Sequence, residues 1–122
     1  MKMIINATRG KTLCRQFRTC SSILSKSLGL MFTTPAYIQK HSLVFVFKKP
    51  RVQEFHMFFV FYPIDIIFLD SRRRVVDIKE NFHPFRIYKS RQLSQYAIEL
   101  PSGTIAKTKT RHGDKIQWRT PL

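Results

Sequence analysis

Two apolar patterns run along this chain, and both are typical of β-strands. Over 96–100, three large apolar residues alternate with Ala97 and Glu99, a period of two that predicts a half-buried strand. Over 42–47, the run Ser-Leu-Val-Phe-Val-Phe is apolar on both faces and too short for a helix. Such a run predicts a strand that is covered on both sides.

Turns and prolines divide the rest of the chain into short elements. Pro63 separates two apolar stretches, and the polar run 70–74 closes a hairpin whose second arm begins at Val75. Ser102 is expected to cap a helix of one or two turns that ends near Lys109. We predict strands at 3–6, 11–20, 54–62, 64–69, 75–79 and 115–119, helices at 23–30 and 102–109, and loops at 33–41 and 81–94.

Many short strands without a β-α-β rhythm predict a mainly β fold. We expect a compact antiparallel sandwich or barrel-like structure with one or two short helices. The 122 residues contain no linker or repeat, so a single domain over 1–122 is predicted. Apolar residues make up 43% and aromatic residues 13% of the chain, and this composition excludes a disordered protein.

The compartment follows from the absence of targeting signals in the sequence. The N-terminus lacks an apolar core of signal-peptide length, and the most apolar stretch, 55–69, contains Pro63 and Asp65. Cys14 and Cys20 are too few for a disulfide framework. We therefore expect a cytoplasmic protein with reduced thiols and no membrane insertion.

Positive charge dominates the composition. Lys and Arg number 22 against seven acids, for a formal net charge of +15, and Glu54 is the first acid of the chain. A field of this size attracts polyanions such as nucleic acid or anionic lipid. It also keeps a Phe-rich surface in solution by self-repulsion. Both interpretations are carried forward.

Three basic clusters are candidates for contacts with the phosphates of RNA or DNA. The arginines at 72–74 occupy a predicted hairpin tip, where they can grip phosphates while Tyr88 or Trp118 stacks on bases. No recognised nucleic-acid-binding module accompanies them. The candidate residues are Arg72, Arg73, Arg74, Lys107, Lys109, Arg111, Lys48, Lys49 and Arg51.

Three stretches carry a family resemblance: 29–32 (Gly-Leu-Met-Phe), 55–57 followed by 63–70, and 96–104 followed by Gly113-Asp114. Together they resemble the domain-of-unknown-function family 192, also called uncharacterised protein family 0127, over roughly 20–118 and closest to its archaeal branch. The resemblance implies a mostly antiparallel β-fold with short helices and no established activity, cofactor or partner. The motif residues are Gly29, Leu30, Met31, Met57, Pro63, Asp65, Glu99, Gly103, Gly113 and Asp114.

The chain departs from the commoner bacterial pattern of this family around Met57. There an aromatic residue, usually Trp, precedes the Met and Lys-Asn-Thr follows it. Here His56 precedes it and Phe58-Phe59-Val60 follows, and Leu28 replaces a basic residue before the first motif. Any ligand contact that bacterial relatives make with those polar groups is not expected here.

Asp65 is the carboxylate that most needs an explanation, because burying an unpaired carboxylate is costly. Either a structural hydrogen bond at the bend after Pro63 or a catalytic or ligand-binding role accounts for it. In the second case His56 and Glu99 would meet Asp65 in a pocket. The four histidines lack zinc-site spacing and the glycines do not cluster, so we predict no metal and no cofactor.

Three hypotheses for the function follow. The leading one is a non-enzymatic binding or accessory domain that contacts nucleic-acid phosphates through its basic clusters. The first alternative is a small-ligand-binding protein or enzyme with a pocket near Asp65 and His56. The second is a structural partner subunit, because the stretch 55–62 forms either a packed core or an exposed apolar patch. The sequence does not specify an oligomeric state.

Overall fold

The computed structural model describes residues 3–20 and 30–118. The helix predicted over 23–30, with Gly29, lies outside the described residues except for its last position, Leu30, and so does the end of the strand predicted over 115–119. The elements follow in the order β1 (Ile4–Asn6), β2 (Lys11–Cys14), β3 (Phe17–Cys20), α1 (Pro35–Lys40), β4 (Ser42–Arg51), β5 (Glu54–His56), β6 (Ile64–Leu69), β7 (Val75–Phe82), β8 (Ile87–Lys89), β9 (Ser94–Pro101), α2 (Thr104–Thr108) and β10 (Ile116–Trp118).

A five-stranded sheet in the order β3-β4-β9-β6-β7 forms the centre of the fold. β3 pairs with β4 in parallel, and the other neighbours are antiparallel. Two smaller sheets, β10-β1-β2 and β5-β8, lie outside it. The predicted mainly β fold is thus confirmed, and in the described part of the chain none of the sheets closes into a barrel.

Both faces of the central sheet are buried, because each is covered by another layer. All six positions of β6 are buried. Ile64, Ile66 and Phe68 pack in a first core with residues from β5, β8 and α1. Ile67 and Leu69, which point the other way, pack in a second core against β1, β2, β10 and α2. This arrangement explains strands that are apolar on both faces.

Two strand predictions were too long. The strand predicted over 11–20 divides at Arg15 and Gln16, so that β2 and β3 belong to different sheets. The strand predicted over 54–62 ends at His56. There the Val60 N–H donates to the Met57 carbonyl (3.3 Å), which closes a turn that ends the strand.

Two helix assignments also differ from prediction. The predicted loop over 33–41 contains α1, which starts at Pro35, a residue whose fixed φ suits the first helical turn. Ser102 does not cap α2; its hydroxyl donates to Oδ1 of Asn81 (3.0 Å) and Gly103 occupies the cap position. Neither difference moves a strand of the central sheet.

Cys14 and Cys20 lie on opposite sides of the central sheet and do not form a disulfide. Cys20 belongs to the first core and Cys14 packs against the second. Burial raises the pKa of the Cys14 thiol, with the hydroxyl of Ser42 nearby acting in the opposite direction. Of the helices described, none is long and apolar enough to cross a bilayer.

Candidate functional site

Asp65 holds three backbone segments together. Its side chain, 1% exposed, lies on the second-core side of β6. Oδ1 accepts the N–H of Asn81 (2.9 Å), and Oδ2 accepts the N–H groups of Gly103 (3.1 Å) and Ile105 (2.9 Å). Because α2 has no capping side chain of its own, Asp65 caps it from another strand. Of the two roles considered for Asp65 from the sequence, these contacts agree with structural hydrogen bonding rather than with catalysis or ligand binding.

Glu99 is the carboxyl group that the fold leaves unexplained. It is 6% exposed, faces the first core from β9, and its Oε1 has no hydrogen-bond partner among the described residues. Burial raises its pKa from 4.5 to about 8, so the neutral acid predominates at pH 7. The Tyr62 hydroxyl, which is hydrogen-bonded to the Thr33 hydroxyl (2.7 Å), interacts electrostatically with Glu99. Burial also raises the pKa of Tyr62, and the Glu99 carboxyl acts in the same direction.

His56, Asp65 and Glu99 do not form the predicted pocket. Asp65 and Glu99 face opposite cores, so the central sheet separates them. His56 is exposed at the end of β5, where its ring stacks on Phe58 (4.9 Å) and its Nδ1 accepts the Phe58 N–H (3.2 Å). Within residues 3–20 and 30–118, moreover, no three His, Cys, Asp or Glu side chains gather as metal ligands.

Five cations converge at one end of the molecule, and we call this group the basic end. The β6–β7 hairpin supplies two of them and the loop before β10 supplies two more. At the centre, the buried carboxylate of Asp114 accepts hydrogen bonds from the Arg9 side chain (3.0 and 3.2 Å) and the Arg111 N–H (2.9 Å). The residues of the basic end are Arg9, Arg72, Arg74, Arg111 and Lys115.

Asp114 and Asp70 fix the geometry of the basic end. Burial pushes the pKa of Asp114 upward, but the hydrogen bonds from Arg9, Asn6 and Arg111 outweigh it, and the pKa is lowered. Asp70 accepts the N–H groups of Arg72 and Arg74, both at 2.9 Å, and so shapes the hairpin tip. The backbone of the tip is therefore held by Asp70, and both Arg72 and Arg74 are exposed on it.

Arg73 and the two predicted base-stacking residues are already engaged within the fold. The Arg73 guanidinium lies over the Trp118 ring, 3.6 Å from its centroid, and donates to the Trp118 carbonyl (3.1 Å). The Tyr88 hydroxyl donates to Asp77 (2.6 Å), and its ring packs against Phe68. The predicted stacking of bases on Tyr88 or Trp118 is therefore not supported, because both rings are half-buried and already pack on other side chains of the fold.

The other predicted basic residues lie in different places. Lys48, Lys49 and Arg51 occupy the exposed end of β4, at the same end of the central sheet as the hairpin tip. Lys107, however, lines a cleft of about 770 Å³ together with Arg15 and Lys40. That cleft lies between β2 and α2, at the end of β9 opposite the hairpin tip. Lys109 ends α2 in a left-handed conformation. The three predicted clusters therefore do not form one surface. The cluster at 48–51 and the arginines at 72–74 lie at one end of the central sheet, and Lys107 lies at the other end.

The aromatic stretch divides between core and surface. Phe55 packs inward against Phe45 and Phe68. Phe59 and Phe61 are exposed and join Phe32 and Phe85 from distant turns in a chain of ring contacts, with successive centroids 5.0 to 6.1 Å apart. Phe58 is also exposed and stacks on His56 instead. We call this group the aromatic surface: Phe32, Phe58, Phe59, Phe61 and Phe85.

Most family-motif residues act in the fold. Leu30 and Met57 are buried in the first core, and Gly103 and Gly113 adopt positive φ angles at turns. Arg9 and Lys115 were not predicted as site residues, because they join the basic end only through tertiary contacts. Phe32 and Phe85 of the aromatic surface were not predicted either. For Phe85 the preceding Pro84 was an available turn signal; for the others the sequence offered none.

Comparison with known proteins places this fold among uncharacterised relatives. A sequence model of the family described as Uncharacterized ACR, domain-of-unknown-function family 192, matches residues 4–118. The chain is 38% identical to a UPF0127 protein of Pyrococcus horikoshii over 97% of this chain and the whole relative. It is 39% identical to a UPF0127 protein of Thermococcus kodakarensis over 95% of this chain and 73% of that relative.

Two crystal structures have the same fold. A protein of unknown function from Novosphingobium aromaticivorans superimposes with a TM-score of 0.82 at 25% identity, covering 96% of this chain and 83% of that one. A protein from Sinorhizobium meliloti, described as a candidate transcription regulator, gives a TM-score of 0.79 at 25% identity and covers 96% and 91%. Neither description specifies a ligand.

Proposed function

This chain belongs to domain-of-unknown-function family 192, and we propose that it is a non-enzymatic binding domain for the phosphate backbone of RNA or DNA. The supporting observation is the placement of its acids. Of the seven acidic residues, only Glu54 and Glu80 are exposed, whereas most of the 22 Lys and Arg residues lie at the surface. The positive field is thus almost unopposed, and such a field favours polyanions.

The basic end is the proposed contact region. The Arg9 side chain and the Arg111 N–H bind the buried carboxylate of Asp114, and the hairpin tip presents Arg72 and Arg74 on a turn fixed by Asp70. Arginine guanidinium groups match phosphate oxygens in two-point hydrogen bonds. Because the Trp118 and Tyr88 rings already pack on other side chains of the fold, binding would act through phosphates and show little sequence preference.

Two further facts agree with this proposal. The Sinorhizobium meliloti relative is described as a candidate transcription regulator, a role whose partner would be nucleic acid. Cys14 and Cys20 do not form a disulfide, which suits the reducing cytoplasm where RNA and DNA are found.

The double variant Arg72→Gln/Arg74→Gln should weaken nucleic-acid binding about tenfold at low salt and reduce the salt slope of log K by roughly 1.8, about 0.9 per phosphate contact. Fluorescence anisotropy with labelled single- and double-stranded oligonucleotides over a salt series measures both quantities. Because the two side chains are exposed, the thermal midpoint should stay close to that of the wild type.

The matched control is Lys40→Gln/Lys107→Gln, which removes the same charge from the cleft at the opposite end of the sheet. Its salt slope should remain close to that of the wild type. Equal losses in the two double variants would mean that net charge alone acts and that the basic end is not a site. Absence of binding by the wild type at low salt would refute the proposal.

A further inference from the structure

Three exposed phenylalanines adopt a backbone conformation that is unfavourable for phenylalanine. Six non-glycine residues have positive φ in the described part of the chain, and three of them are Phe32 (61°), Phe59 (59°) and Phe85 (61°). Gly and Asn reach this left-handed region at lower cost than residues with a bulky side chain. All three belong to the aromatic surface, at 70%, 45% and 50% exposure.

Neither the backbone nor the cores of the molecule require phenylalanine at these positions. The side chains are 45% to 70% exposed, so burial within the chain compensates little of the conformational cost. Backbone strain combined with exposed aromatic rings is typical of a functional surface rather than of a packing solution. An occupant outside the chain is therefore the simplest reason for these side chains.

The turns that present the rings are tied to one another. The Phe32 N–H donates to the Phe59 carbonyl (2.8 Å), and the Phe85 N–H donates to the Met57 carbonyl (2.7 Å). The rings touch in succession, Phe32 with Phe59, Phe59 with Phe85, and Phe85 with Phe61. The apolar group is thus held on a rigid framework, which lowers the entropy lost on docking.

We propose that the aromatic surface docks on a membrane interface that contains anionic lipid. The phenylalanine rings would reach the boundary between headgroups and acyl chains, as the apolar faces of interfacial proteins do, without any segment crossing the bilayer. The stretches that form the surface, 30–34, 56–62 and 83–87, contain His56, His83 and Arg86 but no acid. Apolar rings rimmed by basic groups suit an anionic lipid surface.

Charge favours lipid over a second copy of the chain as the occupant. A symmetric pair would bring Arg86 toward its own copy and join two bodies that each carry a net charge of +15. An anionic bilayer is instead attractive at long range and apolar at short range. Salt separates the two cases: screening weakens docking on anionic lipid and strengthens association of like-charged copies.

The aromatic surface is distinct from the basic end. The hairpin of the basic end follows β6, whereas Phe61 and the turn at 57–60 precede the other end of that strand. Trp118, the single tryptophan, packs on Arg73 beside the basic end. With Trp118 replaced by Phe, a tryptophan introduced at position 61 would therefore report on the aromatic surface alone.

The test uses Phe61→Trp in a Trp118→Phe background, with vesicles of phosphatidylcholine with and without phosphatidylglycerol. Docking predicts a blue shift of Trp emission on anionic vesicles and quenching by brominated acyl chains, because the ring leaves water for the acyl boundary. Purely electrostatic adsorption through the basic end would leave the emission unchanged. Unshifted emission on anionic vesicles would overturn the proposal.

The second variant is Phe32→Asn/Phe85→Asn in the wild-type background. Two lost phenylalanine contacts should reduce partitioning onto anionic vesicles on the order of a hundredfold in a flotation assay. Nucleic-acid binding should persist, so failure of this proposal and failure of the proposed function are distinguishable. The thermal midpoint should not fall by much, since Asn tolerates positive φ and the lost rings are exposed.

The matched control is Leu93→Asn, which removes an apolar side chain of 58% exposure outside the aromatic surface. Its partitioning should equal that of the wild type. Equal losses in Leu93→Asn and Phe32→Asn/Phe85→Asn would refute a specific docking surface. A dimer in sedimentation velocity that grows with salt and disappears in Phe32→Asn/Phe85→Asn would assign the surface to a second copy and overturn the lipid proposal.

Discussion

Replacing Asp65 by alanine is expected to lower the free energy of unfolding by about 3–5 kcal/mol, one of the larger losses available to a single substitution. The carboxylate is 1% exposed and accepts three backbone N–H groups, from Asn81, Gly103 and Ile105. Alanine would leave these donors without their acceptor, and two of them belong to the first turn of α2 and its cap. Urea unfolding followed by circular dichroism measures the loss.

Two comparisons establish that burial and geometry cause this loss. Asp70 also accepts two backbone N–H groups, but at an exposed hairpin, so Asp70→Ala should cost less than about 1 kcal/mol because water replaces the acceptor. The stability loss in Asp65→Asn should lie between those of Asp65→Ala and Asp70→Ala, because the amide oxygen still accepts a hydrogen bond but the NH₂ group faces a donor. Hydrogen exchange should accelerate at Gly103 and Ile105 in Asp65→Ala, which removes their acceptor. Equal losses in Asp65→Ala and Asp70→Ala would contradict this account.

Replacing Glu99 by glutamine is expected to change the pH dependence of stability. The folded state has a pKa of about 8 at this carboxyl, against the ordinary 4.5 of an unfolded chain. Between these values the folded protein holds a proton that the unfolded chain releases. Stability from this group is therefore present in full below about pH 4.5 and falls as the pH rises toward about 8, by up to roughly 1.4 kcal/mol per pH unit.

Glutamine has no proton to release, so Glu99→Gln should remove this slope. At about pH 9 the variant should be more stable than the wild type by several kcal/mol, whereas at about pH 5 the two should be similar. Urea unfolding at a series of pH values gives the comparison, with Glu80→Gln as the control because Glu80 is exposed. Parallel pH profiles for Glu99→Gln and the wild type would show that the carboxyl ionises freely in the folded protein.

A neutral Glu99 changes the meaning of the family motif that contains it. Asp65 and Asp114, in the same motifs, are explained by the backbone and side-chain donors around them. Glu99 instead lies in the first core with Oε1 unpartnered among the described residues, below the turns that carry Phe32 and Phe59. Glu99 lowers the stability of the fold at high pH, so it is the motif residue with the weakest structural justification and the most informative one to replace.

The family assignment shows how far local patterns reach. The order of Gly-Leu-Met, His-Met and Ile-Glu-Leu-Pro-Ser-Gly along the chain indicated the family, and the resemblance and its archaeal character are confirmed by the comparisons. The resemblance predicted the fold but no activity, because no activity is described for the relatives.

Periodicity by itself determined the β class, the strand at 42–47 that is apolar on both faces, and the hairpin at 70–74. These are properties of neighbouring residues: a period of two assigns faces, and a run that is apolar on both faces needs a layer on each side. The same local rules predicted a strand through Phe59. They failed there because tertiary hydrogen bonds to Phe32 and Phe85 hold that segment in turns.

Only the tertiary structure decided which groups meet. From the sequence, Asp65, His56 and Glu99 were expected to be partners. In the structure Glu99 pairs with Ile66, the residue after Asp65, so Asp65 and Glu99 lie on opposite faces of the sheet. Conversely, Arg9 and Arg111 lie far apart in sequence and meet at Asp114. Local pattern encodes which face a residue takes within its strand, whereas proximity between strands depends on register and layer order, which no single segment contains.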